Sequence, residues 1–188
     1  MIYDTIAAIA TAPGIGAIHV IRLSGPNAIE MAASLFTGAN LRQSESHKVH
    51  YGRIVHQGEI LDEVLLTVFR APKTFTAEDV VEISAHGGTY VATRILEALV
   101  AVGARLAEPG EFTRRAYLNG RIDLTQAEAI QDIIAAKSSS QLSIAQSALS
   151  GTLRKQIETM QSDLLDTIAA TEVHIDYPGY DDAETVTT

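Results

Sequence analysis

Two charged residues interrupt otherwise apolar strand-like runs. Glu82 in VVEIS alternates with Val81 and Ile83 and so points to the opposite face. Arg22 in HVIRLSG has the same placement. A carboxylate on a covered face demands hydrogen-bond donors. An arginine in such a place carries the same ambiguity. On a solvated face both would be ordinary surface charges, and the pattern alone leaves both readings open. A third concentration lies at 109–130, PGEFTRRAYLNGRIDLTQAEAI, where Arg114, Arg115 and Arg121 crowd around two helix signals. A bound anion would account for them; solvated helix charges are the alternative.

Other candidates carry less. The GIG at 14–16 lacks the third glycine of a dinucleotide loop, since position 19 is histidine and a strand follows. A turn is the better reading. No G-x-x-x-x-G-K-[ST] occurs, so no phosphate-binding loop of that kind is present and GTP turnover by this stretch is not expected. The six histidines form no recognisable ligand set, and His47 and His50 would not share a face, so no metal site is expected. His86, in His-Gly-Gly before a helix, could sit near an anion or simply belong to the helix cap.

The chain has 188 residues, 46% of them hydrophobic, enough for one good core or two small ones. The formal charge is −9, and five acids with no lysine or arginine fall in residues 172–188, leaving 18 acids against 14 bases elsewhere. Such a surface is a poor nonspecific match for a phosphate backbone. No apolar run approaches the ~20 residues that span a bilayer, and the N-terminus lacks the features of a signal peptide. With no cysteine there are no disulfides, thiolate nucleophiles or zinc–thiolate sites. A cytoplasmic protein without membrane association is expected.

The elements that must position these residues fall in two blocks. Strand-like runs occur at 5–10, 16–23, 49–55, 63–69 and 80–84, with a short one after Gly103. A helix begins after Gly25-Pro26 with Ile29, Ala32, Ala33 and Phe36 on one face, and another follows His86 with Val91, Ile95, Leu99 and Val102. This mixture predicts an α+β layer fold. From 109 onward the pattern is helical. Asn119-Gly120 reads as a stop, and Asp123 with Gln126 as a capping box, a spacing that Ser138 and Gln141 repeat. Leu142, Leu149, Leu153, Ile157, Met160, Leu164 and Ile168 then form the stripe of one long helix, which needs partner helices. The closing IDYPGYDDAETVTT offers none.

Three separated stretches, DTIAAIATAPGIGAIHVIRLSGP, FTAEDVVEISAHGG and PGEFTRRAYLNGRIDLTQAEAI, resemble the MnmE (TrmE) family of tRNA-modification GTPases, in order and over essentially the whole chain. The resemblance implies a folate-binding and dimerisation domain at 1–118, similar to the aminomethyltransferase of glycine cleavage. It implies the start of an all-α helical domain at 119–188, cut before an inserted GTP-binding domain. It further implies a tetrahydrofolate derivative (5-formyl- or 5,10-methylene-) held by Arg22, Glu82 and Arg121. At the last position the family commonly has lysine, so the charge is kept and the donor geometry changes. No catalytic residue falls in this stretch. In the family, an FAD-containing MnmG-type partner joins the homodimer to modify carbon 5 of the wobble uridine of tRNA (5-carboxymethylaminomethyl formation). GTP, magnesium and potassium act at the GTP-binding domain. A one-carbon transferase and a non-catalytic dimerisation scaffold are the competing functions. On this reading the arginines of 109–130 serve an acidic cofactor, and Glu82 receives the pterin edge in paired bonds.

Overall fold

The computed structural model describes residues 4–176. The acidic stretch from 177 onward, and the side chain of Leu153 in the long stripe, lie outside the described residues. The chain divides into two compact units between Ile122 and Asp123. That point follows the expected boundary at 118/119 by four residues. The reason is local: after helix α3 (Glu111–Leu118) the chain folds back, and the Arg121 amide donates to the Ala116 carbonyl at 2.9 Å.

In the first unit, β1 (Ile6–Ile9), β2 (Ile18–Ser24), β3 (Phe36–Thr37), β4 (Lys48–His56), β5 (Glu59–Phe69), β6 (Val80–His86) and β7 (Arg105–Leu106) form one sheet in the order β3-β4-β5-β6-β2-β1-β7. All neighbours are antiparallel except β1 and β7. Helices α1 (Ala28–Leu35) and α2 (Thr89–Ala101) supply Ala28, Ala32, Ala92, Ile95 and Leu99 to a core completed by Ile21, Leu23, Leu66, Val68, Val81 and Ile83 of the central strands. Each fully buried Val, Leu or Ile side chain among these contributes roughly 1.5–3 kcal/mol. An α+β fold is therefore observed. Phe36, expected on the face of α1, instead opens β3 and pairs with Ile54, because the chain turns extended as soon as Leu35 is buried.

The other sheet face is covered at one end, where Ser24 and Val80 are buried, and open towards the other. Ile18, Val49, Tyr51 and Leu65 are exposed there; Arg22 and Glu82 lie between β1 and the last three, which stand on β4 and β5. The turn before β2 is held by His19. Its Nε2 faces the Gly14 carbonyl at 2.9 Å and must donate, and its Nδ1 lies 2.7 Å from the Thr11 hydroxyl. Gly87 lies directly against the Gly16 backbone, where a Cβ would collide with the carbonyl. The GIG segment is thus a turn packed on the His-Gly-Gly segment.

The second unit contains α4 (Leu124–Ala135), α5 (Ser139–Leu149) and α6 (Thr152–Asp176). Asp123 and Gln126 form the reciprocal capping box, and Ser138 accepts from the Gln141 amide. The long stripe is not one helix. Gly151, at φ +78, breaks it into α5 and α6, a conformation that side chains with a Cβ rarely adopt. The Gln126 side chain donates to the Leu149 carbonyl at 2.9 Å, occupying an acceptor freed by the break. On α6, Ile157, Met160, Leu164 and Ile168 are exposed among the described residues.

Candidate functional site

Arg22 and Glu82 are direct cross-strand partners in the β2–β6 register. Their side chains meet: Arg22 Nε donates to Glu82 Oε1 at 2.8 Å, and Nη2 lies 2.6 Å from the same oxygen. Both side chains remain about a quarter exposed, at 29% and 27%. Among the described residues, Oε2 of Glu82 receives no hydrogen bond from protein. The pair therefore presents one spare acceptor on an open sheet face.

Two aromatic rings lie against the same guanidinium. The Arg22 Cζ is 5.9 Å from the centroid of Phe75 and 5.7 Å from that of Phe112, within the range of cation–π attraction. Phe75 sits in the 70–79 loop between two buried threonines. Thr74 Oγ1 donates to the Glu78 carbonyl, and Asn119 donates to the Thr76 carbonyl, each at 2.7 Å. Ser24, at the end of β2, has one hydroxyl proton. It gives that proton to Glu78 Oε2 at 2.7 Å, and so accepts from the Thr76 hydroxyl at 2.7 Å. Phe112 lies on α3, next to the buried Glu111.

Of the arginines beside Phe112, Arg115 is not free for a ligand. Arg115 is fully buried. It reaches Asp4 (2.7 Å), Glu111 (3.1 Å) and Glu78 (3.3 Å), and donates to the Asp4 carbonyl oxygen at 2.9 Å. Arg105 pairs with Asp4 and Glu111, and Arg114 with Glu108 at 2.9 Å. The expectation that this cluster serves an acidic cofactor is corrected for Arg115, whose guanidinium is enclosed by carboxylates; Arg114 stays half exposed. Both arginines belong to an ion network joining the N-terminal segment, β7, α3 and the Phe75 loop. The His86 side chain turns to Asp62, 2.7 Å away, while its amide donates to the other Asp62 oxygen, so its partner is a carboxylate rather than an anion site.

The network makes a pH prediction. The Arg105 guanidinium, hydrogen-bonded to Glu111, holds that carboxyl down at about 2 from an ordinary 4.5; burial opposes this, and the Glu108 amide and Arg115 assist it. A depressed carboxyl stabilises the fold fully above its unfolded value. That contribution is expected to be intact above about pH 4.5 and to fade as pH falls towards 2. Urea midpoints at about pH 7 and about pH 3 should separate more for the wild type than for Glu111→Gln, which has no carboxyl to protonate. Equal separation would remove Glu111 as the cause.

The model of the family described as "GTP-binding protein TrmE N-terminus" matches residues 5–121, and that of the "MnmE helical domain" matches 124–188. The chain belongs to the TrmE family. It is 55% identical over 186 residues to the tRNA modification GTPase MnmE of Streptococcus thermophilus, with 99% of this chain and 41% of that protein covered. It is 54% identical over 188 residues to the protein of that name from Listeria welshimeri, covering 100% and 41%. The chain thus spans about 40% of the length of the curated relatives it matches. The boundary between the two TrmE-family matches coincides with the division between the compact units.

Of the three residues expected to bind ligand in this TrmE-family chain, two are joined and one stands apart. Arg121 is exposed, with no side-chain bond among the described residues, just beyond α3. Sequence reasoning missed Phe75 and Phe112. Both stand inside the quoted stretches, and an aromatic ring among polar residues, in Phe75 just ahead of the strand that carries Glu82, was the available signal.

Proposed function

We propose that this chain is the reduced-folate-binding and dimerising part of a tRNA-modification GTPase. The observation that carries it is Glu82, held through Oε1 by Arg22 beside two aromatic rings, with Oε2 lacking a donor among the described residues. A reduced folate suits such a place. Its flat pterin edge carries N–H donors for Oε2, its rings can lie among the aromatic faces, and its tail carboxylates can reach Arg121. The folate, when bound, supplies the one-carbon unit for carbon 5 of the wobble uridine. This chain's own residues bind and orient. The pterin edge meets one oxygen rather than both, because Oε1 is already occupied by Arg22.

The remainder of the reading belongs to the assembled protein. GTP hydrolysis with magnesium and potassium in a GTP-binding domain drives a conformational change, and an FAD-containing MnmG-type partner completes the chemistry on tRNA. Dimerisation through the sheet unit is supported by the exposed Ile18, Val49, Tyr51 and Leu65 on its open face. Isothermal calorimetry of the chain with 5-formyltetrahydrofolate should give a saturable heat with one ligand per chain. No heat at high protein concentration would overturn the folate reading and leave a dimerisation scaffold.

A further inference from the structure

The Arg22–Glu82 pair has an unusual feature for a strand pair at a sheet surface: it is overdetermined from outside the sheet. An exposed arginine and glutamate facing each other across two strands contribute little, and thermal motion of two long side chains usually dissolves the contact. Here Phe75 and Phe112 lie against the guanidinium from two separate elements. Each of those elements is itself fastened. The Phe75 loop is fixed at the residues on both sides, through Thr74, Thr76 and the Ser24–Glu78 bond. The Phe112 helix is fixed by Glu111 and Arg115, immediately before it and three residues after it.

We infer that Phe75 and Phe112 clamp Arg22 so that its Nε and Nη2 occupy one oxygen of Glu82 and leave the other aimed at ligand. This rests on the folate reading for the ligand's identity, but the clamp itself is a property of the free protein. Arg22 is then a positioning residue acting through Glu82, and the two phenylalanines set the site's preference for a ligand with a hydrogen-bond donor opposite a single carboxylate oxygen. A guanidinium released from the rings can rotate. Glu82 then samples orientations in which neither oxygen is presented, and the ligand has to select the competent one, which lowers its apparent affinity by the competent fraction.

The test uses the whole chain. Side-chain NMR of the free protein should show a slowly exchanging Arg22 Nε–H, and Phe75→Leu and Phe112→Leu, which keep apolar bulk but lose the ring face, should each speed its exchange. In calorimetry each should weaken 5-formyltetrahydrofolate about fivefold, the scale of one cation–π contact at a partly exposed site. In an Arg22→Met background the same replacements should have no further effect on affinity. Undiminished losses in that background would mean that the rings touch the ligand directly and would overturn the clamp. Fast Arg22 Nε–H exchange in the wild type would overturn it too. If the wild type shows slow exchange but no folate heat, the folate reading fails while the clamp stands.

Discussion

Replacing Arg115 with methionine is expected to cost the first unit about 3–5 kcal/mol, the usual penalty for removing one side of a buried charged network. At the size of this unit that is a fall in Tm of roughly 10–20 °C. The reason is what stays behind. Asp4, Glu78 and Glu111 all converge on Arg115, and Arg105 faces only two of them. Glu78 would keep only the single proton of Ser24. Arg115→Lys keeps the charge but cannot fork toward three carboxylates, so its cost should fall between wild type and methionine. Hydrogen exchange at the Arg105 and Ala107 amides, which bind the Thr5 and Ala7 carbonyls, reports opening of the sheet edge that the network holds. A loss under 1 kcal/mol, the ordinary value for a surface charge, would show that the network is not what secures α3.

The second large effect is expected at Glu82. In Glu82→Gln the side chain has one oxygen, and the two Arg22 donors at Oε1 claim it. The amide nitrogen is then left where Oε2 was, facing the ligand's N–H donor against donor. Folate binding should weaken by about 2–3 kcal/mol, on the scale of a charged hydrogen bond, or roughly 30- to 150-fold. Arg121→Ala should cost less, on the order of 1 kcal/mol, and its effect should shrink with added salt, since the side chain is exposed. Dissociation constants for both variants at low and high salt are the measurement. Unchanged affinity in Glu82→Gln, with the fold intact by circular dichroism, would remove Glu82 from the site.

The sequence by itself determined whatever depends on neighbours along the chain. The alternation in VVEIS put Glu82 opposite Val81 and Ile83, and HVIRLSG did the same for Arg22, because side chains along an unbroken strand alternate with a two-residue period. The Asp123–Gln126 box and the stop at Asn119-Gly120 were legible for the same reason: caps close within one turn. The stripe through 142–168 misled because periodicity continues across Gly151, whereas the break is a backbone conformation with no hydrophobic signature. Tertiary structure alone decided which charges meet. Arg22 and Glu82 are 60 residues apart, and Arg115 meets Asp4 across 111 and Glu78 across 37. Arginine is rarely buried, so nothing along the chain distinguishes the enclosed Arg115 from the exposed Arg121 six positions later. That distinction required the sheet order that brings β7, α3 and the Phe75 loop together, and an order of strands is set by long-range packing that no local pattern encodes.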